Sequence, residues 1–367
     1  MATTAVRKHQ SSLMNHISKL MFIVLLVSGI FISFLFSSRV THASPNTVHY
    51  GKPPLLTSNS SNDSNPPTAT VSRYITHQDT SGIMNTDGCS EVKALVGGTV
   101  ILDFGETVSQ NGTYGTLLPN TSTGFVSDHT IESLVKQYLS GYASCNPGTN
   151  NTPFVLGIGT TNAGPYMTST ANATSAGQEW ANMIVSLRAW AAFHKIAEKE
   201  RVFGAIQLDL ENNTAAISRA WVDGFGSISN NTGANFVNYG DAAGCPTVDS
   251  SADGQCSNGW MQSDVAYVSW DAVAAYPLPQ IYDTAGQDAL QWQSIEYYQR
   301  INNLGGNLGP MFIQGSLTQY EACQQTGGCQ GTDNTPSQGW QQIYDALQSS
   351  SVTAQSKVWD STDFQWG

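Results

Sequence analysis

The stretch "VFGAIQLDLEN", residues 202–212, decides the fold. An apolar run of strand length ends in Asp209 and Glu211 and passes at once into "NTAAISRAWVDGF", which has helical periodicity. A buried strand that feeds straight into a helix is the unit of a parallel sheet covered by helices. Upstream, "TVILDFGE" at Thr99 and "PFVLGIG" at Pro153 are near-continuous apolar runs of the same kind. Before Val202, Ser175 and Gln178 form a capping box, and Trp180, Ile184, Leu187 and Ala191 share one helical face. These elements make a βαβ unit.

Further out, "SRYITH" at Ser72, "ANFVNYG" at Ala234, "VAYVSWD" at Val265, "LPQIYD" at Leu278 and "GPMFIQG" at Gly309 complete eight predicted strands. Eight strands in one domain, residues 71–367, predict the α/β class and a closed (β/α)8 barrel of the TIM type. One link, between the sixth and seventh predicted strands, is too short for a helix.

Residues two apart on a strand share a face, so Gln207, Asp209 and Glu211 are expected to point into the barrel and Ile206, Leu208 and Leu210 toward the helices. Chain direction places the acids at the C-terminal mouth, where barrel enzymes carry their chemistry. Two carboxylates about 6–7 Å apart on one strand repel, which raises one proton affinity and suits that group to act as an acid. A purely structural reading competes: both acids simply cap the helix that follows.

The N-terminus is organised differently. Arg7, Lys8 and Lys19 precede an uncharged apolar run, residues 20–36, and Thr41 and Ala43 supply a small-residue cleavage signal. Residues 1–43 are therefore expected to be a secretory signal, or an uncleaved membrane anchor, since the run 20–36 lies at the lower limit for a span. Either way the remainder is extracellular. Residues 44–70, rich in Pro, Ser and Asn, form an expected disordered linker.

The six cysteines all follow the export segment, as suits an oxidising compartment. Short loops make Cys245–Cys256 and Cys323–Cys329 the natural pairs, leaving Cys89 with Cys145, one of fifteen connectivities that six cysteines allow. The formal net charge of −12 makes nucleic acid an unsuitable partner. With no CxxC and few histidines, neither a zinc site nor any cofactor is expected. "GIGTTNAG" departs from GxGxxG, and no GxSxG occurs. Only His49, His77, His129 and His194 follow residue 43, so a serine triad has little to draw on.

At the opening stretch the chain resembles known families. "FGAIQLDLE" resembles the strand-four signature of family 18 chitinases, with Asp209 and Glu211 on its last two acids and Glu211 on the proton donor. Gly204 and Gln207 stand where that family has acids. "VLGIGTTNAG" is similar to its Gly-rich third strand, and "PQIYD" to its Tyr-Asp strand, with Tyr282 and Asp283 on the matching positions. The order of the Asp-x-Glu strand, a helix, "FVNYGDAAG", "AYVSWDA" and "LPQIYD" also resembles the family 25 lysozymes and related glycoside-hydrolase-like bacterial barrels. The resemblance implies a glycoside hydrolase with Glu211 as general acid and Asp209, Tyr282 and Asp283 beside it.

Other candidates lie outside that signature. Asp103 and Glu106 end the second strand and are expected to reach substrate with Gln207, or else to be polar loop starts. Trp270, Tyr282 and Trp359 offer rings for sugar stacking, against the commoner role of barrel aromatics as core. Two functions follow as expectations. One is a monomeric, secreted or anchored hydrolase of an amino-sugar polysaccharide such as peptidoglycan or chitin. The other is a carbohydrate-binding barrel that has lost turnover, favoured by the missing acids at Gly204 and Gln207.

Overall fold

The structure, a computed structural model, describes residues 52, 64–78, 82–93, 97–120, 124–146, 154–196 and 201–367. The expected signal or anchor, residues 1–43 with the apolar run 20–36, lies outside them. Among the described residues no helix is long and apolar enough to cross a membrane.

Eight parallel strands form the barrel wall: β1 (Thr70–Tyr74), β2 (Gly98–Gln110), β5 (Phe154–Thr161), β6 (Val202–Gln207), β7 (Phe236–Asn238), β8 (Ala275–Pro277), β9 (Gly315–Thr318) and β10 (Asp360–Trp366). Each pairs in parallel with its neighbour from β8 back through β1 to β10 and β9. The chain beyond β8 closes the ring onto β9. Gln280 bridges Leu317, Ile281 N donates to Leu317 O at 2.9 Å, and Leu317 N donates to Pro279 O at 2.9 Å. The molecule is a (β/α)8 barrel.

Past a bulge between Asp103 and Glu106, β2 leaves the barrel and pairs with β3 (Thr113–Leu117), which in turn pairs with β4 (Phe125–Ser127). Positive φ at Asn111 (53°) and Gly112 (79°) makes the tight turn between β2 and β3. Helices α1 (Ile83–Lys93), α2 (Asp128–Cys145), α3 (Thr170–Phe193) and α4 (Ala215–Thr232) cover the first half of the wall. The short α5 (Gln262–Ala266), then α6 (Gln287–Ile301), α7 (Tyr320–Thr326) and α8 (Pro336–Gln348) follow in the second half.

Several local expectations are corrected. "VAYVSWD" is helical: α5 runs into a π turn, Tyr267–Asp271, and the sixth barrel strand comes after it at β8. This removes the difficulty of the short link, because "LPQIYD" continues the sixth strand. The strand expected from Gly309 begins only at Gly315, and the last strand, β10, was not foreseen. In α3 the cap is Ser169, whose side chain accepts from Asn172 N, so Ser175 and Gln178 lie inside the helix; Trp180, Ile184, Leu187 and Ala191 are buried as expected.

Within the expected linker 44–70, Thr70 already belongs to β1. Lys52 is buried, with its ammonium 4.7 Å from the Trp270 ring centre and 4.3 Å from that of Tyr276. The disulfides join Cys89–Cys145, Cys245–Cys256 and Cys323–Cys329, the pairing that loop length favours.

Candidate active site

The strand β6 ends at Gln207, so Asp209 and Glu211 stand on the turn that joins it to α4 and do not extend a strand. That turn is held by amides from neighbouring loops. Asn162 Nδ2 donates to Asp209 O at 2.9 Å, Asn258 Nδ2 to Leu210 O at 3.2 Å and Asn213 Nδ2 to Met167 O at 2.7 Å. Trp260 Nε1 adds a bond to Asn213 O at 2.8 Å. Asn258 and Trp260 directly follow the loop closed by Cys245–Cys256, so this disulfide braces the turn.

Asp209 is half-buried and faces the barrel axis. Its carboxylate accepts from Gln207 Nε2 at 2.7 Å, Gln280 Nε2 at 3.0 Å and Asn212 Nδ2 at 3.3 Å. Burial pushes its proton affinity up, to about 7, against the pull of the Gln207 and Gln280 amides and with a further push from the Glu211 charge. Glu211 itself is exposed. Desolvation acts on Asp209 and on Asp241.

Asp241, beyond the end of β7, is the residue that sequence reading missed. Its Oδ1 accepts from Leu210 N at 3.0 Å, between the two expected acids. Its carboxyl is hydrogen-bonded to that of Glu211, and burial first, then the charge of Asp209, raises its pKa to about 8. Asp209 and Asp241 thus both hold their protons more tightly than a free carboxyl, with Glu211 beside them. The signal was present in "FVNYGDAAG", but contact with Leu210 across 31 positions is invisible to local pattern.

Beneath these acids lies a buried polar layer. Tyr239 hydroxyl donates to Thr160 O at 3.0 Å and bonds the carboxyl of Asp103, which burial raises to about 6. The Tyr282 hydroxyl is buried without a hydrogen-bond partner among the described residues, and the Asp209 charge acts on it and on Tyr74.

A cleft of about 410 Å³ opens at this mouth, lined by Tyr74, Asp103, Glu106, Gln207, Asn212 and Trp366 among others. The structure thus brings Asp103, Glu106 and Gln207 into one cleft, next to Asp209 through the Gln207 and Asn212 amides. Asp283 is otherwise engaged: its carboxylate accepts from Ala285 N at 3.1 Å and Gln287 N at 2.9 Å, at the start of α6. Trp270 has no exposed surface and is packed by Tyr276 and Phe312, so it presents no face to a sugar. Trp359 precedes β10, at the opposite end of the barrel from the mouth. The aromatic pair that does reach the cleft is Tyr74 and Trp366, with ring centres 4.6 Å apart.

No family model and no curated protein sequence matches the chain. Among solved structures it is similar to the spore cortex-lytic enzyme of Bacillus cereus, with TM-score 0.34 and 10% identity over 70% of this chain and 51% of that one. It is also similar to a sugar phosphate isomerase/epimerase from Parabacteroides distasonis, with TM-score 0.36 and 7% identity over 82% of this chain and 86% of that one. A protein from Bacteroides thetaiotaomicron assigned as an α-L-fucosidase gives TM-score 0.36 and 11% identity, covering 85% of this chain and 91% of the other.

Proposed function

We propose that the chain is an exported, monomeric glycoside hydrolase acting on an amino-sugar polysaccharide, with Glu211 delivering the proton. The observation that carries this reading is the loop that sets the exposed Glu211 beside the half-buried Asp241, whose carboxyl accepts from Leu210 N and is held protonated by burial, with Asp209 next to both. Glu211 faces solvent and can meet a glycosidic oxygen; Asp241 supplies the proton it gives away. As the bond from anomeric carbon to leaving oxygen breaks, that oxygen takes the proton, and a water completes the sugar with its hydroxyl. Asp209, held by three amides, orients the substrate, with Tyr282 buried behind it. Because Asp283 is occupied in capping α6, Asp103 is the carboxylate placed to receive the proton of the water.

Substituting Glu211→Gln keeps shape and removes the transferable proton. Hydrolysis of the polysaccharide should fall by about 10² to 10⁴-fold, with binding and melting temperature little changed. Undiminished hydrolysis in that variant removes Glu211 from the reaction. A second reading, a carbohydrate-binding barrel without turnover, is favoured by the exposure of Glu211 and by the amides that already occupy Asp209. A zymogram on cell walls beside a pull-down on the same material separates the two, since retention without clearing identifies the binding barrel.

A further inference from the structure

We propose that the mouth of the barrel takes an uncharged polysaccharide segment in extended form, several sugar units long, and discriminates against anionic polymers. The proposal rests on the carbohydrate reading above and adds to it the length and charge of the ligand.

Length comes from the continuity of three cavities. The cleft of about 410 Å³ shares Thr326 and Trp366 with a second cavity of about 370 Å³, and shares Glu106 and Pro119 with a third of about 240 Å³. The second and third meet at Asn120. The shared residues set the three cavities side by side around the turn after β3. The first cavity alone reaches the size usual for one small ligand, so the whole groove exceeds what a single sugar would fill. Gln207 and Asn212 connect its inner end to Asp209.

Charge comes from the lining. Among the described residues no Lys, Arg or His lines any of the three cavities, whereas Asp103 and Glu106 do. Carboxylates and phosphates are recognised by forked or point cations, and here an anionic unit would meet carboxylates without a counter-charge. Amides and hydroxyls, such as Gln319, Gln325 and Thr76, both donate and accept, which matches the hydroxyl and acetamido groups of a neutral sugar.

The test is calorimetric titration of the Glu211→Gln protein, so that binding is read without turnover. The probes are N-acetylglucosamine oligomers of two to six units and muramyl-peptide-bearing fragments of equal length. Affinity should rise by about 10-fold or more, the equivalent of ~1.4 kcal/mol, from the shortest to the longest neutral oligomer, and the anionic fragments should bind more weakly at every length. Thr326→Arg, at an exposed position between the first two cavities, should abolish the gain with length. Equal affinity at all lengths, or equal or tighter binding of the anionic fragments, overturns the proposal. If neither series binds, the carbohydrate reading falls with it. If a disaccharide binds as well as a hexamer while Glu211→Gln still abolishes hydrolysis, the extended groove alone is wrong.

Discussion

At the scale of residues, the proposed reaction divides one task between Asp241 and Glu211: the first is half-buried and holds a proton, the second is exposed and would deliver it. Asp241→Asn separates the proton from the scaffold, because the amide oxygen still accepts from Leu210 N while the ionisable group is gone. Burial gives Asp241 a pKa of about 8, so activity that depends on its proton should have an alkaline limb near that pH, and the limb should disappear in the Asn variant as neutral-pH hydrolysis drops. A pH–rate profile identical to the wild type would show that Asp241 only positions the turn. Asp209 and Glu211 stand out in the sequence as candidates because they adjoin a recognisable strand. Asp241 does not, because its role comes from contact with a loop distant in the chain. Trp270 and Trp359 were misjudged for the same reason: composition shows that aromatic rings exist, and only the folded wall shows that one is enclosed and the other faces away from the mouth.

At the scale of elements, helix pairs come together through reciprocal glycines. A Cβ on Gly177 of α3 would overlap Trp221 O of α4, and one on Gly224 of α4 would overlap Thr174 O of α3; Gly88 of α1 and Gly141 of α2 stand in the same relation to Tyr138 O and Asn85 O. In each pair the opposing atom is backbone and cannot swing aside. Gly177→Ala should therefore destabilise the fold by about 1–3 kcal/mol despite the gain in helix propensity, as measured by denaturant titration; a neutral or stabilising result would show that the helices can move apart freely. The early strands were legible because β2, β5 and β6 each carry an apolar run, residues 100–102, 154–158 and 202–206. β10 was hidden by polar residues on both its faces: Thr362 Oγ1 lies 2.7 Å from Ser72 Oγ and Asp360 Oδ2 accepts from Thr99 N at 2.6 Å, while on the other face Asp363 Oδ1 accepts from Thr318 Oγ1 at 2.5 Å. Such a strand satisfies its polar groups within the barrel and so lacks the apolar signature. "VAYVSWD" misled in the opposite sense, since its β-branched and aromatic residues pack equally well on a buried π turn.

At the scale of the whole molecule, the buried carboxyls set the dependence of stability on pH. Burial is the largest cause of each shift: Asp103 and Asp128 rise to about 6, Glu91, Asp209 and Asp360 to about 7, and Asp241 and Glu296 to about 8, the last despite its Arg300 partner. An acid with a folded pKa above its unfolded value of about 4 keeps its proton in the native state after the unfolded chain has released it. Its contribution is complete below the unfolded pKa and is lost as pH rises through the folded one. The window for these groups runs from about pH 4 to about pH 8. The formal charge of −12 at pH 7 acts in the same direction, since further ionisation adds self-repulsion. Lys52, lowered by burial to about 7, opposes the trend above that pH, where the folded chain holds it neutral while the unfolded chain still binds the proton, so this group adds stability as pH rises. Thermal melts should therefore show the highest melting temperature near the acidic end of this window and a decline of several degrees toward pH 8. Asp360→Asn removes one titrating group while keeping an oxygen for Thr99 N, so its melting temperature should fall less steeply than that of the wild type between the same limits. A melting temperature that rises steadily from pH 5 to pH 8 would mean that these carboxyls are ionised in the native state, and that water reaches the interior of the barrel.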